Sequence, residues 1–592
     1  MNELQKTTQA ELAELAELST EITRISRLSA ELMLKLTQRL ELPTIDPLNL
    51  RRPLIQATWS TIRHPSRILG AQWELTKRYL GLLKYLGFRV IGRETSKAVT
   101  AARADRRFKS EAWDEKLIFD LLKQAYLLSA DWMLDNVAKM QGVSAEDRHR
   151  IHFYTRQFAD ALSPSNFILT NPEVLEATRK EKGVNLLRGF RRLLEDLNRG
   201  DGQLLISMTD YDAFEVGKNV ATTPGSVVYQ NEMMQLIQYA PSTKTAYTRP
   251  LLIVPPWINK FYILDLQPKN SFIKYAVDRG YTVFVISWVN PDEKLRYKRF
   301  EDYAHEGIFE ALDAIEKATG QREVNTIGYC IGGTLLAATL SLMKSRGDDR
   351  IRSATFFTAQ VDFSEAGDLK VFIDEPQLKF LEKKIKAQGY LDGESMAMTF
   401  NMLRANDLIW TFVVNNYLLG KKPANFDLLY WNSDYTRLPE TMHLYYLRTM
   451  YLENRLVERG GIQMDGVPID LRTVNLPVYI QSSRDDHIAP YPSVYKATQI
   501  YSGPTTFMLA GSGHIAGVIN PPAANKYGYW TNDALPPDPE DWIAGAEQHQ
   551  GSWWPHWDNW LKAKSGKRIQ AREPGDGELP VIEAAPGSYV KA

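Results

Sequence analysis

The sequence predicts an α/β protein in two parts: a mainly helical region over residues 1–200, then a domain over residues 201–592 with an insertion at about 364–475. Three observations predict it. Apolar residues recur at helical spacing through the first two hundred positions. From about residue 245, short apolar runs alternate with amphipathic stretches, the pattern of a parallel sheet covered by helices. One pair of those runs is separated by about a hundred residues, too many for a simple crossover.

In the helical part, Leu15, Leu18, Ile22, Ile25, Leu28, Leu32, Leu36 and Leu40 fall three or four apart, on one face of a helix that Pro43 and Pro47 interrupt. Ile68, Leu69, Trp73, Leu75, Tyr79, Leu80, Leu83 and Leu86 mark a second helix. Trp113, Leu117, Leu121, Leu122, Tyr126, Leu127 and Leu128 mark a third, and the Pro-punctuated segment from Ser163 reads as a loop. These Leu- and Trp-rich faces either close a helical bundle or offer an apolar surface for location and assembly.

The expected strands follow in order. LLIVPP ends at Pro256, YTVFVISW spans Tyr281 to Trp288, and NTIGYC ends at Cys330. SATFFTAQVDF ends at Phe363, LPVYIQSS at Ser483 and TTFMLAG at Gly511. Apolar, β-branched runs of this length between amphipathic segments such as Phe300 to Gly320 are strands of a buried parallel sheet. The gap from Phe363 to Leu476 is rich in aromatic residues, among them Trp410, Phe412, Tyr417, Trp431, Tyr446 and Tyr451. It reads as a cap or lid over a site, or else as an additional packing layer.

Composition narrows the function classes. The 592 residues are 44% hydrophobic and 24% charged, ordinary for a globular chain. Basic and acidic side chains balance at 71 each, so no net field favours nucleic acid or an acidic membrane. The single cysteine, Cys330, excludes a disulfide within the chain and any Cys-based metal cluster. No metal site is expected. The N-terminus lacks an apolar signal-peptide core, and no run approaches the ~18 uncharged apolar residues of a membrane span. A cytoplasmic protein is expected.

The chemistry centres on Gly328-Tyr329-Cys330-Ile331-Gly332-Gly333. This is G-x-C-x-G between a strand and a helical run, the form of a nucleophile elbow with Cys in place of Ser. Glycines flank the sharp turn because side chains there would collide, and the helix N-terminus favours a thiolate. The alternative is a structural Cys beside an ordinary glycine turn. An α/β-hydrolase fold should then supply an acid and a histidine, in that order. Asp485, Asp486 and His487 follow the strand ending at Ser483, and His514 follows the strand ending at Gly511. Strand ends are where open α/β sheets place their chemistry. His487 is either supporting or merely structural. One oxyanion donor should be the Ile331 N–H. The second should come from the loop after LLIV, where Trp257 and Ile258 are both candidates and Asn259 is a possible turn residue.

Long segments add a resemblance. GYCIGGT, PPWINKFYILDLQPKNS, FDLLYWNSD, SRDDHIAPY, SGHIAGVINPPAANKYGYW, ADRRFKSEAW and the ending APGSYVKA resemble polyhydroxyalkanoate synthases, over nearly the whole chain from about residue 100. The N-terminal region and GYCIGGT resemble the class I type, which acts without a different partner subunit. The resemblance implies polymerisation of (R)-3-hydroxyacyl-CoA, short-chain by default, with release of CoA. It also implies Cys330 as nucleophile, His514 as base and Asp486, twenty-eight residues before the histidine, as acid. Asp265, Trp431 and Asn454 fall in family-like segments, and with His487 they are substrate-binding candidates. No cofactor is implied beyond the CoA carried by the substrate. The implied partners are the growing polyester chain, the granule surface and a second copy of the chain. Two rivals remain: a thioesterase or esterase on the same scaffold, and a non-enzymatic granule-coating scaffold.

Overall fold

The computed structural model describes residues 65–91, 96–101 and 105–592, with isolated positions 20, 24, 25, 27, 28, 31 and 55 before them. Of the first expected helix, only Ile25 and Leu28 fall among the described residues. The chain divides into two compact units, residues 1–210 with 399–425, and residues 211–398 with 426–592.

In the first unit, α1 (Pro65–Val90) packs on α2 (Leu117–Ala138), which packs in turn on α3 (Ala145–Ala161). Leu82 and Tyr85 of α1 bury against Leu128 of α2, and the Tyr85 hydroxyl donates to the buried Asp120 carboxylate at 2.7 Å. Helix α4 (Val184–Arg199) begins after Gly183. It lies against residues 413–418 so closely that a Cβ on Gly189 would fall 1.8 Å from the Tyr417 carbonyl oxygen. Tyr417 donates to Asp196 at 2.6 Å, and Asn185 donates to the Leu418 carbonyl at 2.8 Å. The aromatic insertion is therefore not one body: its middle stretch, 399–425, belongs with the helical unit.

The second unit is built on an eleven-stranded sheet among the described residues. Its strands are β1 (Gly225–Gln230), β2 (Met234–Tyr239), β3 (Leu251–Val254), β4 (Val283–Trp288), β5 (Val324–Tyr329), β6 (Ile351–Phe357), β7 (Val478–Ser483), β8 (Thr505–Ala510), β9 (Gly528–Thr531), β10 (Glu547–Gln550) and β11 (Glu583–Ala584). Their spatial order is β10-β9-β8-β7-β6-β5-β3-β4-β2-β1-β11. The six strands from β4 to β8 in this order run parallel, and β1, β2, β9, β10 and β11 add antiparallel edges. Strands β3, β4, β5 and β7 are buried at every residue, which is why they read as unbroken apolar or neutral runs.

All six expected runs are strands, with one shortened. SATFFTAQVDF leaves the sheet at Phe357, because Thr358 turns the chain with φ 42° while its N–H still bonds the Gln481 carbonyl at 2.8 Å. After β5 comes α5 (Ile331–Ser345). After β6 the insertion contributes α6 (Glu375–Gln388) and α7 (Glu440–Tyr446) to this unit, and the chain after α7 winds into a wider turn over Leu447–Leu452. Near the C-terminus, α8 (Trp554–Lys562) places Trp554 and Trp557 against Phe272, completing an aromatic core with Trp553 and Phe357.

Candidate active site

Cys330 stands alone between β5 and α5 with φ 51° and ψ −125°, a conformation that L-residues rarely adopt and that costs about 1–3 kcal/mol where it occurs. The surrounding glycines make it possible. A Cβ on Gly328 would lie 2.5 Å from the Gly333 Cα, and one on Gly333 would lie 2.4 Å from the Ala359 Cβ. A Cβ on Gly332 would strike the Val254 and Pro255 carbonyl oxygens at 2.4 and 2.6 Å. The elbow thus packs backbone to backbone on the end of β3, and any side chain at these positions would lift it away. The Cys330 N–H bonds the Phe357 carbonyl at 2.9 Å, tying the turn to β6. The cysteine is half-buried and heads α5, whose first N–H groups face outward with the positive end of the helix dipole.

Asp486 follows the end of β7 and His514 the end of β8. The His514 Nδ1–H donates to Asp486 Oδ2 at 2.7 Å, and both side chains are buried. Asp486 Oδ1 accepts the Ile488 and Ala489 N–H groups at 2.8 and 2.9 Å, so the carboxylate is fixed by three donors. Asp485 is exposed and engages Ser512 through its backbone N–H. Burial acts against a charged imidazole, but the Asp486 carboxylate and then the Cys330 sulfur outweigh it and push His514 up to about 10. The imidazole therefore carries its proton at neutral pH, between the carboxylate and the sulfur. Tyr329 lies beside it, ring centroids 6.0 Å apart.

The histidine loop is itself braced. Trp553 and Trp554 donate to the Gly517 and Val518 carbonyls at 2.7 and 2.9 Å, and Gly517 sits where a Cβ would meet Ser483 Oγ at 2.1 Å. Ile331 opens α5 beside the sulfur, as an oxyanion donor must. Trp257 and Ile258 lie on the loop that the elbow touches through Val254 and Pro255; Trp257 is buried and Ile258 is half-buried.

The remaining candidates are distributed differently. His487 is half-buried next to Asp486. Asp265 is buried among Thr223 and Ser271, which donate at 2.5 and 2.6 Å, and burial raises its carboxyl despite those bonds. Asn454 accepts the Phe363 N–H at 2.7 Å and donates to Asp362 at 3.0 Å, tying the insertion back to the segment that leads into it. Trp431 is buried and donates to the Lys260 carbonyl at 2.7 Å. Asp265, Asn454 and Trp431 each hold backbone or neighbouring side chains in place.

Of the aromatic residues that the sequence assigns to a cap, Tyr446 and Tyr451 are the two that approach the sulfur. Tyr446 and Tyr451 are both buried close enough to Cys330 for its charge to oppose their ionisation, with burial the larger cause. Tyr446 donates to Thr334 of α5 at 3.2 Å, its ring meets Trp257 edge-on at 5.8 Å, and Phe363 packs on Tyr451 at 4.8 Å. The aromatic richness of the insertion signals a cap, but nothing local to it distinguishes these two from the other aromatic residues. Among the described residues, no helix is long and apolar enough to cross a membrane, and no cluster of three or more His, Cys, Asp or Glu could hold a metal ion.

A parallel sheet in this order, with an elbow after β5 and an acid and histidine after β7 and β8, defines an α/β-hydrolase fold with cysteine at the nucleophile position. The model of the alpha/beta hydrolase fold matches residues 249–521, and the model of the poly-beta-hydroxybutyrate polymerase (PhaC) N-terminus matches residues 104–276. The poly(3-hydroxyalkanoate) polymerase subunit PhaC of Rhizobium meliloti is 51% identical over 89% of this chain and 86% of its own. The poly(3-hydroxyalkanoate) polymerase of Methylorubrum extorquens is 50% identical over 92% and 90%. Subunit PhaC of Cupriavidus necator is 44% identical over 82% and 83%. The chain belongs to the poly(3-hydroxyalkanoate) polymerase family.

Proposed function

We propose that this chain polymerises (R)-3-hydroxyacyl-CoA, short-chain by preference, into poly(3-hydroxyalkanoate) with release of CoA, through an acyl group carried on Cys330. The observation that carries the reading is the lone cysteine on a strained elbow, beside a buried His514 whose Nδ1–H donates to Asp486 at 2.7 Å.

The steps balance without a further cofactor. The Cys330 thiolate, with its proton on His514, attacks the thioester carbonyl of the substrate. The new C–S bond forms, the oxyanion is held by backbone N–H groups of Ile331 and the Trp257–Ile258 loop, and CoA leaves as a thiol with the proton from His514. One thioester replaces another, so the acyl group stays reactive. In elongation a 3-hydroxyl attacks a thioester carbonyl. His514 takes the hydroxyl proton and passes it to the departing sulfur, and the C–S bond is exchanged for an ester bond. Water competes with that hydroxyl and ends the chain, so the Tyr446, Tyr451, Phe363 and Trp257 wall over the sulfur serves to keep it out.

The enzyme works as a homodimer at the surface of its polymer granule in the cytoplasm, with the helical unit facing assembly or the granule. The test is CoA release from C4, C6 and C10 3-hydroxyacyl-CoA with analysis of the product. Insoluble polyester from the C4 substrate is the expected result. Release of CoA with only free hydroxy acid would make the chain a thioesterase, and no release at all would leave it a scaffold.

A further inference from the structure

The loop that adjoins the elbow is held by the stretch of the insertion after Trp431. Trp431 donates to the Lys260 carbonyl, Lys260 Nζ pairs with Asp434 at 2.7 Å, and the Tyr262 hydroxyl donates to the other Asp434 oxygen at 2.7 Å. Asn259 bridges Tyr435 in antiparallel fashion. The contact on the peptide that matters most is Thr436, whose hydroxyl donates to the Trp257 carbonyl at 3.0 Å, with both residues buried. The Trp257–Ile258 peptide is planar and trans, so its C=O and N–H point in opposite directions. Fixing the oxygen on Thr436 fixes the direction of the Ile258 N–H on the far side. Gly332 lies against the carbonyls of Val254 and Pro255, so only Pro256 separates this peptide from the backbone that the elbow touches.

We propose that Thr436 is a positioning residue for acyl transfer: it aims the Ile258 N–H as the second oxyanion donor, beside that of Ile331. The inference rests on the reading of Cys330 as the acyl-carrying nucleophile. It also selects Ile258 over Trp257, a choice the sequence leaves open. An oxyanion forms when the thiolate adds to a thioester carbonyl. None forms when the same thiolate displaces iodide from iodoacetamide, an attack on a tetrahedral carbon. The two reactions share Cys330, His514 and Asp486 and differ in their need for this donor.

The experiment compares wild type, Thr436→Val and Thr436→Ser in the full-length protein. It measures kcat and KM for CoA release from 3-hydroxybutyryl-CoA, and the rate of Cys330 alkylation by iodoacetamide. Thr436→Val should lower kcat about tenfold to a hundredfold, with KM within about threefold and the alkylation rate unchanged. Thr436→Ser, which keeps the donor, should restore most of kcat. The proposal is overturned if Thr436→Val keeps kcat within about twofold, if alkylation slows in parallel with kcat, or if Ser fails to restore it. Failure of the underlying reading looks different: wild type would remain active after complete alkylation of its only cysteine.

Discussion

The neighbouring carboxylates Asp485 and Asp486 show how much one position matters. Both follow β7, but only Asp486 turns inward, where His514 and two backbone N–H groups engage it. Asp486→Asn should therefore lower CoA release about 10³–10⁴-fold, as loss of the acid in comparable triads does. Asp485→Asn should change it by about twofold at most, as exposed substitutions do. The same pair sets a pH dependence. His514 holds its proton to about 10 in the folded chain, above the unfolded value of 6.5. The folded state therefore binds that proton more tightly. The stabilisation is complete below pH 6.5 and is lost as pH rises through about 10. Denaturant midpoints measured from pH 6 to 10 should fall for wild type and fall less for Asp486→Asn; equal slopes would remove the carboxylate as the cause. The catalytic candidates were legible in the sequence because each directly follows a buried apolar strand. Tyr446 and Tyr451 were legible only as members of an aromatic cap, and Thr436 not at all, because the chain brings them back to the elbow from far along an insertion with no periodic pattern.

Among the elements, the elbow is the most constrained. Gly332 meets backbone oxygens of β3 and the residue after it, atoms that cannot yield as a flexible side chain can. Gly332→Ala should cost about 1–3 kcal/mol of stability, or more, and abolish CoA release by lifting α5 from β3. Gly81→Ala is the contrast. It lies in α1 with open space where the Cβ would stand, so it should stabilise the chain by about 0.5–1 kcal/mol. Thermal unfolding of the two variants checks both, and an unaffected Gly332→Ala would contradict the packing of the elbow. The parallel strands were readable because both faces are buried, so their sequences are continuous apolar runs. The antiparallel edges were not. In β2 the buried Gln235 and Gln238 interrupt the apolar run of Met234, Leu236, Ile237 and Tyr239, and β10 is Glu-Gln-His-Gln with no apolar residue, so neither reads as a continuous apolar strand.

At the scale of the molecule, the sequence suggests a cut near residue 200 and one cap, while the structure shares the insertion between the two units. No local pattern announces this, because the partnership of Tyr417 with Asp196 and of Leu418 with Asn185 spans more than two hundred residues. Deleting residues 1–210 alone should yield an aggregating protein, since 399–425 loses its partners. Deleting both segments and joining Met398 to Phe426 with a flexible Gly/Ser linker should recover a folded second unit whose Cys330 still reacts with iodoacetamide. If the first truncation folds as well as the second, the two segments are not one unit. Every step of the proposed reaction requires the acyl group to be carried by Cys330. The direct measurement is the mass of the full-length protein, and of its Cys330 peptide, after rapid quenching with 3-hydroxybutyryl-CoA. Hydroxybutyryl units should be added to that peptide alone, be released by hydroxylamine, and be absent, with all turnover, from Cys330→Ala. Turnover by Cys330→Ala, or the adduct on another residue, would contradict the proposed reaction.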